Sequence, residues 1–207
     1  DLFFDDYEGV NVTGGDDDPV VQAPSPGTWS VLNEGTPNII QVVANPTVPQ
    51  AFQGTQFLRA DRPASQGTMP NPRLSFDLQN TIGDIIHWES MVYVPSVQET
   101  TTHLMSLYGG WDGTGTSANI HLLPQASGDM LRFAGAVFDT SLDFALDTWQ
   151  KWQIDYQIGQ SDFTLTLGPN SNTVPLRIPI TPDGFGEFRY GNEPGGLIYF
   201  DATAGTT

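Results

Sequence analysis

The sequence predicts an all-β fold, an antiparallel β-sandwich, and three observations carry that expectation. Apolar and polar residues alternate with period two in many short runs, and no long segment keeps a clean 3.6-residue apolar period. The runs are broken by turn formers, drawn from 22 glycines and 16 prolines together with Asn and Asp. Twelve Phe, six Tyr and five Trp can fill a core, while charged residues are only 15% of the 207, which excludes a disordered chain.

The strands are read in order. The chain opens on Leu2-Phe3-Phe4, and Gly14 to Pro26 follows as an acidic, Pro-rich loop. Ile39 to Val43 is a short strand inside an otherwise irregular stretch, Pro37 to Pro49. Leu74 to Leu78 alternates, and Ile85 to Val94 is a longer run that stops at Pro95. Thr102 to Tyr108 leads into the turn-rich Gly109 to Gly115. Ala118 to Leu123, Met130 to Phe133 and Trp152 to Ile158 come next. Asp162 to Leu167 alternates strictly and breaks at Gly168-Pro169-Asn170, and Gly196 to Ala202 closes the series. Many short strands between turns point to a sandwich or barrel. No repeat or shift in composition divides the chain, so one domain over 1–207 is expected.

Charge and cysteine content narrow the function classes. Twenty-four acids against seven bases give a net charge of −17, and Lys151 is the single lysine. A phosphate polymer or an anionic membrane surface would be repelled, so neither nucleic acid nor membrane insertion is expected. No apolar run approaches the roughly 18 residues of a spanning helix. The absence of cysteine removes disulfides, thiolate catalysis and thiolate-bound metals. A start at Asp1 without methionine suggests a processed, exported protein, secreted or at the cell surface.

Several segments carry a family resemblance. Leu2-Phe3-Phe4-Asp5-Asp6-Tyr7-Glu8-Gly9, Gly27-Thr28-Trp29, Gly54 to Leu58, Asp147 to Asp155, Asp162 to Leu167 and Leu197-Ile198-Tyr199-Phe200-Asp201 occur in a telling order. Together they resemble the laminin-G-like, or concanavalin A-like, jelly-roll domains of exported bacterial surface proteins. The resemblance implies terminal strands lying side by side, often with a structural calcium between them. It also implies that Trp149 and Trp152 belong to a core strand. Such domains serve as carbohydrate-binding modules and as parts of polysaccharide-degrading enzymes, so function must be argued from sites.

Two candidate sites follow. Calcium takes about six to eight oxygen ligands. Asp6 and Glu8 share a face by alternation, and Asp201 in the last strand completes a set if the resemblance holds. The alternative is a solvated acidic edge that discourages strand pairing. Asp16-Asp17-Asp18 lacks the spacing of a calcium loop and reads as a solvated loop. The second site is carbohydrate-binding. Sugar rings present C–H faces to aromatics, and acids and amides take their hydroxyls. Tyr108 and Trp111, with Asp112 and Asn119 nearby, form such a set in and around a glycine-rich turn. The rival reading folds Trp111 back over a sheet edge. Trp29, Trp88, Trp149 and Trp152 are read as core.

No catalytic set stands out, and the reading leans away from an enzyme. Arg59, Asn119-Ile120-His121 and Tyr199-Phe200-Asp201 follow the strand order of jelly-roll alginate lyases, but Asp201 stands where those enzymes have lysine and the second tyrosine is missing. No paired carboxylates have the spacing of a jelly-roll glucanase, and Glu89, Glu99, Glu187 and Glu193 stand alone. His87, His103 and His121 are read as satisfied sandwich residues. Asn11-Val12-Thr13 is a formal glycosylation sequon. The expected role is therefore non-catalytic recognition of a polysaccharide or glycan, with a structural calcium. The alternatives are a self-assembling subunit of a surface layer, filament or matrix, and a polysaccharide lyase or glycoside hydrolase.

Overall fold

The structure, a computed structural model, describes residues 2–5, 27–32, 40–44, 49–61, 71–76, 82–110, 119–177, 187–192 and 195–206. Among these residues there is no helix. Fifteen strands are present: β1 Leu2–Asp5, β2 Gly27–Leu32, β3 Ile40–Ala44, β4 Gln56–Asp61, β5 Asn71–Phe76, β6 Ile85–Tyr93, β7 Met105–Gly109, β8 Ile120–Pro124, β9 Asp129–Phe133, β10 Val137–Asp143, β11 Trp149–Gln157, β12 Asp162–Leu167, β13 Asn170–Pro175, β14 Glu187–Asn192 and β15 Leu197–Thr206. They form two antiparallel sheets packed as a jelly-roll sandwich. Sheet A runs β13-β12-β11-β6-β15-β4-β3, with β1 also paired to β15, and sheet B runs β10-β9-β8-β7-β14-β5-β2.

Period-two alternation builds the core. On β6, Ile86, Trp88, Ser90 and Val92 turn inward, and on β11 Trp152, Ile154 and Tyr156 do the same. Sheet B answers with Leu107, Ile120, Leu122, Met130 and Phe188 in the same buried cluster. Trp88 and Phe188 join the sheets across the interior, with ring centroids 5.5 Å apart. A smaller cluster, Phe57, Tyr93 and Tyr199 with Trp149 and Leu197 against it, covers the other face of sheet A. Trp88 and Trp152 are core residues as expected. Trp149 is not: it lies three positions before Trp152, and an odd offset on a strand turns a side chain to the opposite face.

The terminal strands are neighbours. β15 pairs with β4 over Leu197–Phe200 and with β1 over Thr203–Thr206, so the two partners share one side of it. Between these halves a bulge at Asp201/Ala204 shifts its register against β6. Ser90 Oγ serves this bulge from the core side, 3.1 Å from the Asp201 carbonyl and 2.8 Å from Thr203 Oγ1. The bulge and the added partner explain why the last strand runs to Thr206, beyond the expected Ala202.

Candidate functional site

The outer face of sheet B assembles a compact polar and aromatic group. Leu107 and Leu122 pair facing inward, so the next pair in register, Tyr108 and His121, faces out. Their rings lie 4.3 Å apart at 39°, and His121 also meets Phe133 at 5.3 Å. The Arg177 guanidinium stands 5.3 Å from the Phe133 centroid, a cation over an aromatic face. In backbone register Arg189 is opposite Tyr108, and Arg73 is opposite Arg189.

His121 is the chemically distinctive member. Its Nε2 lies 3.2 Å from the hydroxyl of Ser106, itself buried. Its Nδ1 is buried and has no hydrogen-bond partner among the described residues. Burial, reinforced by the positive Arg177 and by His103, lowers its pKa from the usual 6.5 to about 4. The imidazole is therefore neutral near pH 7, with one donor and one acceptor nitrogen. An orphaned buried nitrogen costs about 1–3 kcal/mol, which favours a partner brought by water or ligand.

The expected sugar-binding residues can now be placed. Tyr108 is half-buried in the row just described. Asn119 is buried, 6% exposed, and it closes the turn. Its amide N–H donates to the Gly109 carbonyl at 3.0 Å, and its own carbonyl accepts the Arg177 N–H at 2.7 Å. Gly110, at φ 111°, fits beneath it, since a Cβ there would come within 2.9 Å of the Asn119 Cβ. The chain therefore leaves and re-enters the sheet at one point beside Tyr108. Trp111 and Asp112 belong to the intervening segment and lie outside the described residues.

Of the expected calcium ligands, Asp201 is fully buried, and its Oδ2 accepts the backbone N–H of Gln53 at 3.0 Å. Asp6 and Glu8 lie outside the described residues, as do Asp16-Asp17-Asp18, the loop Gly14 to Pro26 and the sequon at Asn11. Among the described residues no group of three or more His, Asp or Glu is arranged to hold a metal ion.

Elsewhere several polar side chains pair with one another. On the outer face of sheet A, His87 bridges two carboxylates, Asp155 at 2.6 Å and Glu89 at 3.2 Å, and Lys151 also reaches Glu89 at 3.1 Å. His103 meets the Gln125 side-chain amide at 2.6 Å. Two of the three histidines are thus satisfied as expected, and His121 is the exception. Arg59 and Tyr199 pair on sheet A, where Arg59 also bonds Asp61, while His121 stands on sheet B. The lyase-like order in the sequence therefore does not converge in space. His121, Phe133 and Arg177 were not singled out as a group by sequence reasoning. The available signal was the pairing of Ala118–Leu123 with Thr102–Tyr108, which sets a histidine beside a tyrosine once register is known.

No protein-family model matches the chain, and no curated protein sequence matches it. Solved structures do. A sialidase aligns with TM-score 0.57 at 5% identity over 82% of this chain, which spans 17% of that enzyme. The cellulose-induced protein Cip1 aligns with TM-score 0.56 at 11% identity, over 86% of this chain and 90% of Cip1. The alginate lyase vAL-1 from Chlorella virus aligns with TM-score 0.54 at 13% identity, over 86% and 91%. At such identities the likeness establishes a shared fold, the jelly-roll sandwich, and nothing finer.

Proposed function

We propose that this chain is an exported, laminin-G-like carbohydrate-recognition domain without catalytic activity, which seats a glycan on the outer face of sheet B. The observation that carries the proposal is the close, tilted Tyr108–His121 ring contact, with a neutral imidazole whose buried Nδ1 lacks a partner among the described residues. Tyr108 offers an aromatic surface to a sugar ring, and the neutral imidazole in contact with it leaves that surface uncharged. Arg177 adds a cation at the rim, so the face tolerates uronic acids as well as neutral sugars. Trp111 and Asp112, carried by the segment that springs from Gly110 and Asn119, complete the site in this reading. Support also comes from the company the fold keeps, which includes proteins named as cellulose-induced and as an alginate lyase.

Calcium is part of the proposal. Asp201 with Asp6 and Glu8 would hold it where the terminal strands meet. The fully buried Asp201 carboxylate, carried by β15, the strand that pairs with β1, supports this. Asp201→Asn is expected to abolish any rise in melting temperature that calcium gives over EDTA.

Isothermal titration against soluble neutral and uronic-acid polysaccharides tests the main reading. Tyr108→Ala and Trp111→Ala are each expected to weaken binding at least about tenfold, the equivalent of one aromatic contact. Unchanged affinity in both variants overturns the site. One observation favours an enzyme as the second reading: the Tyr108–His121 contact could move a proton. That reading predicts new chain ends during incubation with polysaccharide and their loss in His121→Ala.

A further inference from the structure

The outer face of sheet A carries a second aromatic site. Trp149 opens β11 there, with its indole fixed: Nε1 donates to the Gln50 carbonyl at 2.7 Å. Phe52, Phe57 and Tyr93 surround it at 6.5, 5.9 and 5.6 Å, with planes inclined by 60°, 76° and 60°. None of the three lies parallel to the indole, so none stacks over its face. An open hollow of about 460 Å³ adjoins it, lined by Gln50, Phe52, Tyr93, Asp147 and Trp149 among others. That volume falls within the roughly 300–1,000 Å³ of small-molecule sites. Phe52 is 52% exposed, a large apolar ring left at the rim.

Asp147 supplies the polar side. It is one of two described non-glycine residues with positive φ, at 56°, a backbone state that clusters at binding and catalytic sites. Its Oδ1 accepts the Ser96 N–H at 2.8 Å, which fixes the carboxylate, and hydrogen bonding to Ser96 holds its pKa below the ordinary value. Among the described residues the hollow's lining includes no cationic side chain.

We propose that this hollow is a second carbohydrate site, on the sheet opposite the Tyr108–His121 face, and that its ligand is a neutral pyranose stacked on Trp149 with hydroxyls donated to Asp147. A fixed indole loses little entropy on stacking. A fixed carboxylate takes two vicinal hydroxyls and repels a uronate. The proposal rests on the reading of the chain as carbohydrate-binding and adds a separate site of narrower charge preference. Two sites on opposite faces also let one molecule bridge two glycan chains.

The test uses the whole chain with cellotetraose, xylotetraose and mannotetraose, titrated by calorimetry into wild type, Phe52→Ala, Asp147→Asn and Tyr108→Ala. Phe52 is exposed, and asparagine tolerates positive φ, so both hollow variants keep the fold. Trp149→Ala is avoided because the indole supports the small cluster. The expected result is a neutral oligosaccharide bound at two sites in wild type, one weakened about tenfold in Phe52→Ala and in Asp147→Asn and the other weakened in Tyr108→Ala. Binding that is lost in Tyr108→Ala and unchanged in both hollow variants overturns this site and leaves the sheet B reading standing. If wild type binds none of the three neutral probes, the hollow is overturned, and the polysaccharide titration decides sheet B separately.

Discussion

At the scale of single residues, His121 makes the sharpest claim. Its pKa in the folded chain, about 4, lies below the usual 6.5 that the unfolded chain retains. The unfolded state therefore binds more protons between these values, and stability rises with pH across that window. This contribution is complete above pH 6.5 and is lost as pH falls toward 4. His121→Phe removes the titration, so between pH 7 and pH 4.5 the urea midpoint of the variant is expected to fall less than that of the wild type. An identical decline in both proteins contradicts a buried neutral imidazole. Gly196 gives a second residue-scale prediction. A Cβ there would overlap the Leu104 carbonyl, with its carbon at 2.7 Å, and that contact is backbone, which cannot swing away. Gly196→Ala is expected to cost about 3 kcal/mol, the upper range of overpacking, by chemical denaturation. Neither residue announces itself in the sequence. A histidine in an apolar strand looks the same whether its second nitrogen is paired or orphaned, and a glycine opening a strand looks like an ordinary turn residue.

At the scale of elements, the strands that alternate strictly are the legible ones. Asp162 to Leu167 is β12 to the residue, and Ile85 to Val94 is β6 with one residue more. Strands such as β13, Asn-Ser-Asn-Thr-Val-Pro, escaped because their composition is that of a loop. β13 exists because a two-residue turn at Gly168-Pro169 folds Asn170 back opposite Leu167, and backbone pairing along an edge needs no apolar pattern. The break read there is real, but it is a hairpin and not the end of the sheet. β10 was hidden for a related reason: its register shifts between Asp139 and Leu142, so its alternation is interrupted. The bulge in β15 makes a prediction at this scale. Ser90→Ala strips partners from the Thr203 hydroxyl and the Asp201 carbonyl in the core, and is expected to cost about 1–3 kcal/mol. Ser90→Thr keeps the hydroxyl and should cost less, which separates a lost hydrogen bond from general disturbance of β6.

At the scale of the molecule, the two sheets hold together through a core whose centre is aromatic. Trp88 on sheet A and Phe188 on sheet B are both fully buried and in contact. Each single change to alanine is expected to cost about 3–5 kcal/mol. Because the rings touch, the double variant should lose less than the sum, and strict additivity in a double-mutant cycle would contradict this contact. The sandwich was legible because turn spacing, period two and aromatic content all pointed the same way. The outer faces were less so. Sequence reasoning put Tyr108 forward for a sugar site but treated Trp149 as core, by likeness to a core strand, when its odd offset from Trp152 already turned it outward. It placed Asn119 at a sugar site as a free amide, whereas the folded chain buries it to hold both ends of the segment bearing Trp111.

Glycan recognition on sheet B, as proposed above, is tested by amide chemical-shift mapping. Uniformly labelled protein is titrated with the oligosaccharide fragment of whichever polysaccharide binds in calorimetry. Dose-dependent shifts are expected, centred on Ser106–Gly109, Asn119–Leu122, Phe133 and Arg177, the residues around the Tyr108–His121 contact. Saturable binding that leaves all of these amides unmoved would contradict the proposal.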